Sequence, residues 1–271
     1  MSVGVGVSTL RKMTVAHDHP VRYYFQEKVL LNDFLGKKIT LHFTGNIACT
    51  HCHRKITKTF QQGYCYPCMQ RILECNNCMI YPEKCLVETG ACPTDDWAHE
   101  QCHQKHILYL ANSSGLKVGI TRIANMPSRW IDQGAIQALP IAETENRYQV
   151  GLLEMALRKV VADKTNWRVM LKNNVTPIDL VAEKKRILSL VTIEIKKLLT
   201  QYPDAIRVLD TENVLTFHYP VLQYPEKIVS LSFDKTPEIT GKLLGIKAQY
   251  LILDCGVLNL RKFGGYEVFL K

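Results

Sequence analysis

HILYLANSSGLKVGIT, residues 106–121, holds two apolar runs of strand length separated by Asn112-Ser113-Ser114-Gly115. Turn-forming residues between two β-prone runs predict a hairpin. Its register decides what the hairpin can do. Pairing Tyr109 with Lys117 places both side chains on one face, and a one-residue slip places them on opposite faces.

Three helices are expected downstream. A short one covers Ser128–Gln133 and stops at Gly134, with Arg129 and Gln133 on one face and Trp130 and Ile131 packing it onto the sheet. A second runs from about Tyr148 to Asp163, with Val150, Leu153, Leu157, Val160 and Val161 along one stripe. A third begins at the cap Thr176-Pro177, carries Val181, Leu188, Val191, Ile195 and Leu198 on one face, and ends before Tyr202-Pro203. Strands are expected over 205–209, 214–219, 228–233, 250–253, 257–260 and 266–270, and upstream over 21–25 and 39–43. The ends of the chain are expected to share one small β-barrel or sheet. The fold class is therefore α+β, in four segments: N-terminal strands over 1–46, a cysteine-rich module over 47–104, a mixed core over 105–203 and a β-rich region over 204–271.

The chain has 271 residues and is 46% hydrophobic, enough for a packed core. The opening MSVGVGVSTLRKMTV lacks a basic stretch followed by an apolar run, so no secretory signal is expected. No segment reaches the ~18–20 uninterrupted apolar residues of a membrane span. A cytoplasmic location without a membrane partner follows as the expectation. Lys and Arg number 34 against 25 Asp and Glu, a formal charge of +9 that favours a polyanionic partner.

Nine of the ten cysteines lie between Cys49 and Cys102. Cys49-x2-Cys52 and Cys65-x2-Cys68, twelve residues apart, offer four thiolates for one tetrahedral zinc. An iron–sulfur cluster and disulfides are the alternatives. A second zinc is expected from Cys75-x2-Cys78 with two further ligands among Cys85, Cys92 and Cys102, and His99 and His103 stand nearby. Four thiolates leave no open coordination position, so both zinc sites read as structural. Cys255, alone in LILDC, reads as a small buried hydrophobe.

The segment from Tyr109 to Glu154 resembles the GIY-YIG nuclease domain. Ile107-Leu108-Tyr109 corresponds to the first motif and Lys117-Val118-Gly119-Ile120-Thr121 to the second, with Arg129 and Glu154 on the following helices. The resemblance implies a GIY-YIG-like core and a metal-dependent phosphodiester cleavage involving Tyr109, Lys117, Arg129 and Glu154, with magnesium or manganese. Lys117 stands where the family has a second tyrosine, and an ammonium has no acceptor for a proton. The whole chain is also similar to a bacterial and archaeal family classed as a domain of unknown function. That likeness rests on Tyr81-Pro82-Glu83-Lys84-Cys85, YLANSSGLKVGITR (109–122), RWIDQGA (129–135) and Gly245-Ile246-Lys247-Ala248-Gln249-Tyr250, and it implies no activity.

Glu154 falls on or beside the apolar stripe of its helix and needs a partner there: a metal, a hydrogen-bond donor or Arg158 at i+4. The expected function is zinc-supported nucleic-acid binding through Lys117, Arg122, Arg129 and Gln133, RNA in preference to DNA. A divalent-metal-dependent endonuclease and a protein-interaction scaffold are the alternatives. Lys164-Thr165-Asn166-Trp167-Arg168 sets an aromatic ring beside cations, a pairing that suits an unstacked base.

Overall fold

The computed structural model describes residues 8–89, 92 and 96–271, so the sequence reading of residues 1–7 lies outside the described residues. The N-terminal strands are β1 (Ser8–Thr9), β2 (Thr14–Ala16), β3 (Arg22–Phe25), β4 (Val29–Leu30), β5 (Lys38–Ala48) and β6 (Lys55–Ile56). The middle of the chain adds helices α1 (Tyr66–Arg71) and α2 (Asp96–Gln101), strands β7 (His106–Asn112) and β8 (Leu116–Arg122), helix α3 (Ser128–Asp132) and strand β9 (Gln137–Thr144). Helices α4 (Arg147–Leu157), α5 (Trp167–Lys172), α6 (Leu180–Leu190) and α7 (Thr192–Gln201) follow. The chain closes with β10 (Ile206–Val208), β11 (Leu215–Thr216), β12 (Glu238–Lys247), β13 (Tyr250–Leu253), β14 (Gly256–Asn259) and β15 (Tyr266–Leu270).

Helices and several sheets are thus mixed along the chain. The largest sheet runs β1-β15-β5-β12-β13-β14 with β6 on β5, so strands from the two ends of the chain share it, with β5 lying between β15 and β12. A second sheet runs β10-β9-β7-β8, with β11 also on β9, and a third is β2-β3-β4. Strand β7 is buried along its whole length. Its odd residues Ile107, Tyr109 and Ala111 join the core beneath the terminal sheet, together with Trp130 and Ile131. Its even residues Leu108 and Leu110 join the core under α4, α6 and α7. Period-two alternation therefore assigns each neighbour of Tyr109 to a layer.

Several expected elements differ. The helix placed at 148–163 ends at Leu157, because the Ala162 carbonyl instead accepts the Val118 N–H (2.8 Å) and runs beside Lys117 on the sheet edge. The helix placed from Thr176 starts at Leu180, capped by Asp179, whose carboxylate accepts the N–H groups of Val181 and Ala182, and it breaks at Val191. The Thr176 carbonyl accepts from Asn112. The strands placed at 205–209 and 214–219 pair with β9 and not with the terminal sheet. Residues 228–233 form only an isolated bridge at Ser230. Cys255 is exposed, in the tight turn between β13 and β14, and is no core residue.

Helix α4 carries Glu154, and its seat is set by backbone contact. A Cβ built on Gly151 would stand 2.6 Å from the Glu83 nitrogen and the Pro82 carbonyl carbon, so Tyr81-Pro82-Glu83-Lys84-Cys85 lies directly against the helix. In an open helix Gly→Ala gains about 1 kcal/mol. Gly151→Ala is expected to reverse that sign and lose roughly 1–3 kcal/mol through overpacking. Thermal unfolding checks it, and a raised Tm contradicts the packing.

Candidate phosphate cleft and metal centre

The hairpin register sets the site. Tyr109 lies opposite Gly119, and Ala111 lies opposite Lys117. Tyr109 and Lys117 are therefore offset by two residues and share a face, although they are not directly paired. The missing side chain at Gly119 makes room for the tyrosine, since a Cβ there would stand 2.6 Å from the Tyr109 hydroxyl. Trp130 meets the Tyr109 ring edge-on at 5.6 Å, fixing α3 against the hairpin.

Arg129 and Gln133 project from α3 into the same place. The Tyr109 hydroxyl donates to Gln133 Oε1 (3.0 Å), and Lys117 Nζ donates to the same oxygen (3.2 Å) and to Thr165 Oγ1 (3.4 Å). Thr165 is held in turn by Ser113 of the hairpin turn (2.9 Å). Both partners of the ammonium are neutral. Among the described residues neither Lys117 nor Arg129 makes an ion pair. Burial, then the Arg129 charge, lowers the Lys117 pKa from its usual 10.5 to about 8, against the opposing pull of Glu154 and Asp163. Burial raises the Tyr109 pKa against the pull of Arg129, so the tyrosine stays a phenol.

Glu154 comes to the same cavity, of about 450 Å³, which Tyr109, Lys117, Arg129 and Gln133 line with it. Burial raises its carboxyl pKa, with Arg158 the largest opposing influence. The i+4 partner does not bind it, because Arg158 Nε reaches Asp163 instead (3.1 Å). Arg122 and Arg147 stand on the rim and are tied to the cysteine-rich segment. Arg122 donates to the Glu100 carbonyl (3.1 Å), and Arg147 to those of Cys78 and Met79 (3.4 and 2.9 Å). A second cavity of about 450 Å³ continues from the first through Lys117, Arg129 and Gln133 to Trp167 and Tyr250. Trp167 is not a free stacking platform, since it stacks on Tyr250 (5.7 Å, 7°) and carries the Arg168 guanidinium over its ring (4.3 Å).

Arg261 and Asp163, which carry no sequence signal, and Thr165, which the sequence offers only within the segment 164–168, all line this cleft. Thr165 and Asp163 follow a helix end that was placed too late. Arg261 sits in a 3₁₀ turn after β14 and carries no local signal of its role. The run Lys184–Arg186 is structural or paired at the surface. Lys184 is buried and donates to the carbonyls of Leu209 and Thr211, while Lys185 and Arg186 pair with Glu212 and Glu183.

The thiols of Cys49, Cys52, Cys65 and Cys68 all lie within 4.8 Å of one another. The Cys52–Cys65 sulfur separation is 3.7 Å, close to the edge of about 3.8 Å expected for a tetrahedron with ~2.3 Å metal–sulfur bonds. The four cysteines can therefore hold a metal ion such as zinc. Burial works against a thiolate at Cys49, but the N–H groups of Cys52, Cys65 and His51 outweigh it and bring the pKa to about 6. His51 and His53 are exposed beside the cluster.

The remaining cysteines divide. The Cys102 thiol donates to Cys85, which lowers the Cys85 pKa to about 6 despite burial and raises that of Cys102, with Cys78 adding to the rise. Burial, then Cys85, raises the Cys78 pKa. Cys92 is half-buried. Burial, then the charges of Glu74 and Cys49, raises the Cys75 pKa to about 11. His99 is exposed and packs against the His103 ring at 4.8 Å.

A family described as a protein of unknown function (DUF2797) matches residues 36–268. No curated protein and no solved structure matches. Among the described residues no helix is long and apolar enough to cross a membrane.

Cys52→Ser and Cys65→Ser are each expected to remove one metal ion per chain by elemental analysis, and to lower the unfolding temperature. Full metal content in both variants contradicts the assignment.

Proposed function

The chain belongs to this DUF2797 family, and we propose that it is a nucleic-acid-binding protein with a GIY-YIG-like core, held together by structural zinc. One observation carries the reading. Lys117 and Arg129 face a shared cavity with no carboxylate in ion-pair range among the described residues. Removing such charges from water is costly unless an anion compensates them. A backbone phosphate does so and matches the overall charge of +9. Zinc in the cluster of Cys49, Cys52, Cys65 and Cys68 has a closed thiolate shell, which makes its role structural. A second zinc on Cys75 and Cys78 with two of Cys85, Cys92 and Cys102 would need these thiols to draw together, because among the described residues only Cys49, Cys52, Cys65 and Cys68 form a group with ligand atoms within 4.8 Å of one another.

A second reading is favoured by Glu154. Its carboxylate lines the cavity without an ion pair among the described residues, as a ligand for magnesium or manganese in an endonuclease would. Such an ion would supply charge compensation at the scissile phosphate. Tyr109, held as a phenol, donates to Gln133 and takes no proton at neutral pH. Lys117, with its pKa of about 8, is the group that can take one, through its neutral fraction.

The two readings respond oppositely to pH. Lys117 is charged below about 8 and neutral above it. For a binder, affinity for labelled RNA or DNA falls as pH rises through that value, and in Lys117→Arg it stays flat. For an enzyme with Lys117 as base, cleavage in magnesium or manganese rises over the same range. Flat profiles in the wild type remove Lys117 from both roles. Lys117→Ala and Arg129→Ala are each expected to weaken binding by about 10-fold to 100-fold, the ~1.5–3 kcal/mol of a charge-assisted hydrogen bond. Unchanged affinity in both, measured by fluorescence anisotropy, contradicts phosphate binding here.

A further inference from the structure

Arg261 lines both cavities of the cleft beside Arg129 but comes from the far end of the sequence. It stands in the turn Leu260–Phe263, whose flanking Leu260 and Phe263 are fully buried in the terminal core. Those two anchors fix the turn and leave Arg261 facing the cleft. Its Nε donates to Gln62 Oε1 at 2.6 Å. Among the described residues Arg261 makes no ion pair. Asp132 is the carboxylate that influences it, and Asp132 is already engaged by Lys12 (2.7 Å) and Gln249 (2.8 Å). Two guanidinium groups and an ammonium thus share the cleft, and like charges repel one another there.

Gln62 connects this arginine to the thiol cluster. It lies on the loop between Cys52 and Cys65, which folds back so that Thr50 N–H donates to the Gly63 carbonyl (2.9 Å) and Cys65 N–H to the Cys49 sulfur (3.2 Å). The loop then docks on Gly264-Gly265, immediately after the arginine's turn. A Cβ on Gly264 would collide with the Gln62 carbonyl, and one on Gly265 would stand 2.5 Å from the Ala48 carbonyl. Glycine is required at both positions for this approach. The thiol cluster therefore sets the loop, the loop sets Gln62, and Gln62 orients the guanidinium.

We propose that Arg261, oriented by Gln62 of the thiol-bearing loop, is a second phosphate position next to Lys117 and Arg129, so that the cleft takes two successive phosphates of a nucleic-acid strand. This rests on the phosphate-binding reading of the cleft. Arg261 lies outside the segment that resembles the nuclease domain, so it is a contact this chain adds. One phosphate is met by Lys117 and Arg129, and its neighbour along the strand by Arg261.

The test is fluorescence anisotropy of a short labelled single-stranded RNA, titrated at several salt concentrations against metal-replete protein. In Arg261→Ala and in the isosteric Arg261→Gln, the slope of log affinity against log salt is expected to fall by about 0.7, the share of one phosphate contact on a single strand. Arg261→Lys keeps the slope, and inorganic phosphate, needing only Lys117 and Arg129, competes equally in wild type and variants. Gln62→Ala weakens RNA binding while metal content by elemental analysis stays at the wild-type value. If Arg129→Ala lowers the slope and neither neutral Arg261 variant does, the second position is overturned and the first stands. If Gln62→Ala binds like wild type, the positioning role is overturned. If the wild type binds neither single-stranded RNA nor single-stranded DNA, the proposal falls together with the reading beneath it.

Discussion

A buried lysine ammonium that donates to an amide and a hydroxyl oxygen, with no carboxylate in ion-pair range among the described residues, is the constraint on which the site depends. Lys117 is 5% exposed, and its partners are Gln133 and Thr165. Burying a charge this way costs stability, as the fall of its pKa to about 8 records. The surrounding fold keeps it there nonetheless. Gly119 opens the space, Tyr109 occupies it and points to Gln133, Trp130 locks the helix that carries Gln133, and the chain after α4 runs along the sheet edge at Lys117. Each of these contacts is spent on holding polar groups in place around a cavity. A core built for stability alone would fill that cavity with apolar atoms.

The cysteine-rich segment takes part in this arrangement without supplying the chemistry. Its carbonyls hold Arg122 and Arg147 at the rim, and its Tyr81–Cys85 stretch lies on the helix bearing Glu154. The loop between the two CxxC pairs reaches the opposite wall through Gln62. The buried hydrophobic residues of this segment are almost all cysteines, so an apolar core does little to fix these positions, and four thiols within 4.8 Å of one another offer a metal ion the means to do it.

Local patterns were the legible part of the sequence. The hairpin at 106–121, the helix at Ser128, the strands Tyr250–Leu253 and Tyr266–Leu270 and the first pair of CxxC motifs all follow from spacing within a few residues. Strand β9 was missed because Pro140 reads as a strand breaker, and in the fold it sits at a bulge opposite Tyr109. Strand β12 was missed because Gly241 and Gly245 interrupt its apolar run. Both glycines are tight packing points, against Asp254 and Val221. Arg129 and Glu154 were found through the resemblance around the hairpin. Arg261 was not, since only the folding of the terminal sheet brings it to the cleft. Cys255 was misplaced because an apolar run looks the same whether it continues as a strand or turns.

The most direct measurement of the central claim is the titration of Lys117 itself, by heteronuclear NMR of lysine side chains with and without nucleic acid. An ammonium that receives a phosphate must become harder to deprotonate, so the account requires a titration near pH 8 in the free protein that moves clearly upward in the complex. A Lys117 titration that is the same with nucleic acid bound contradicts it.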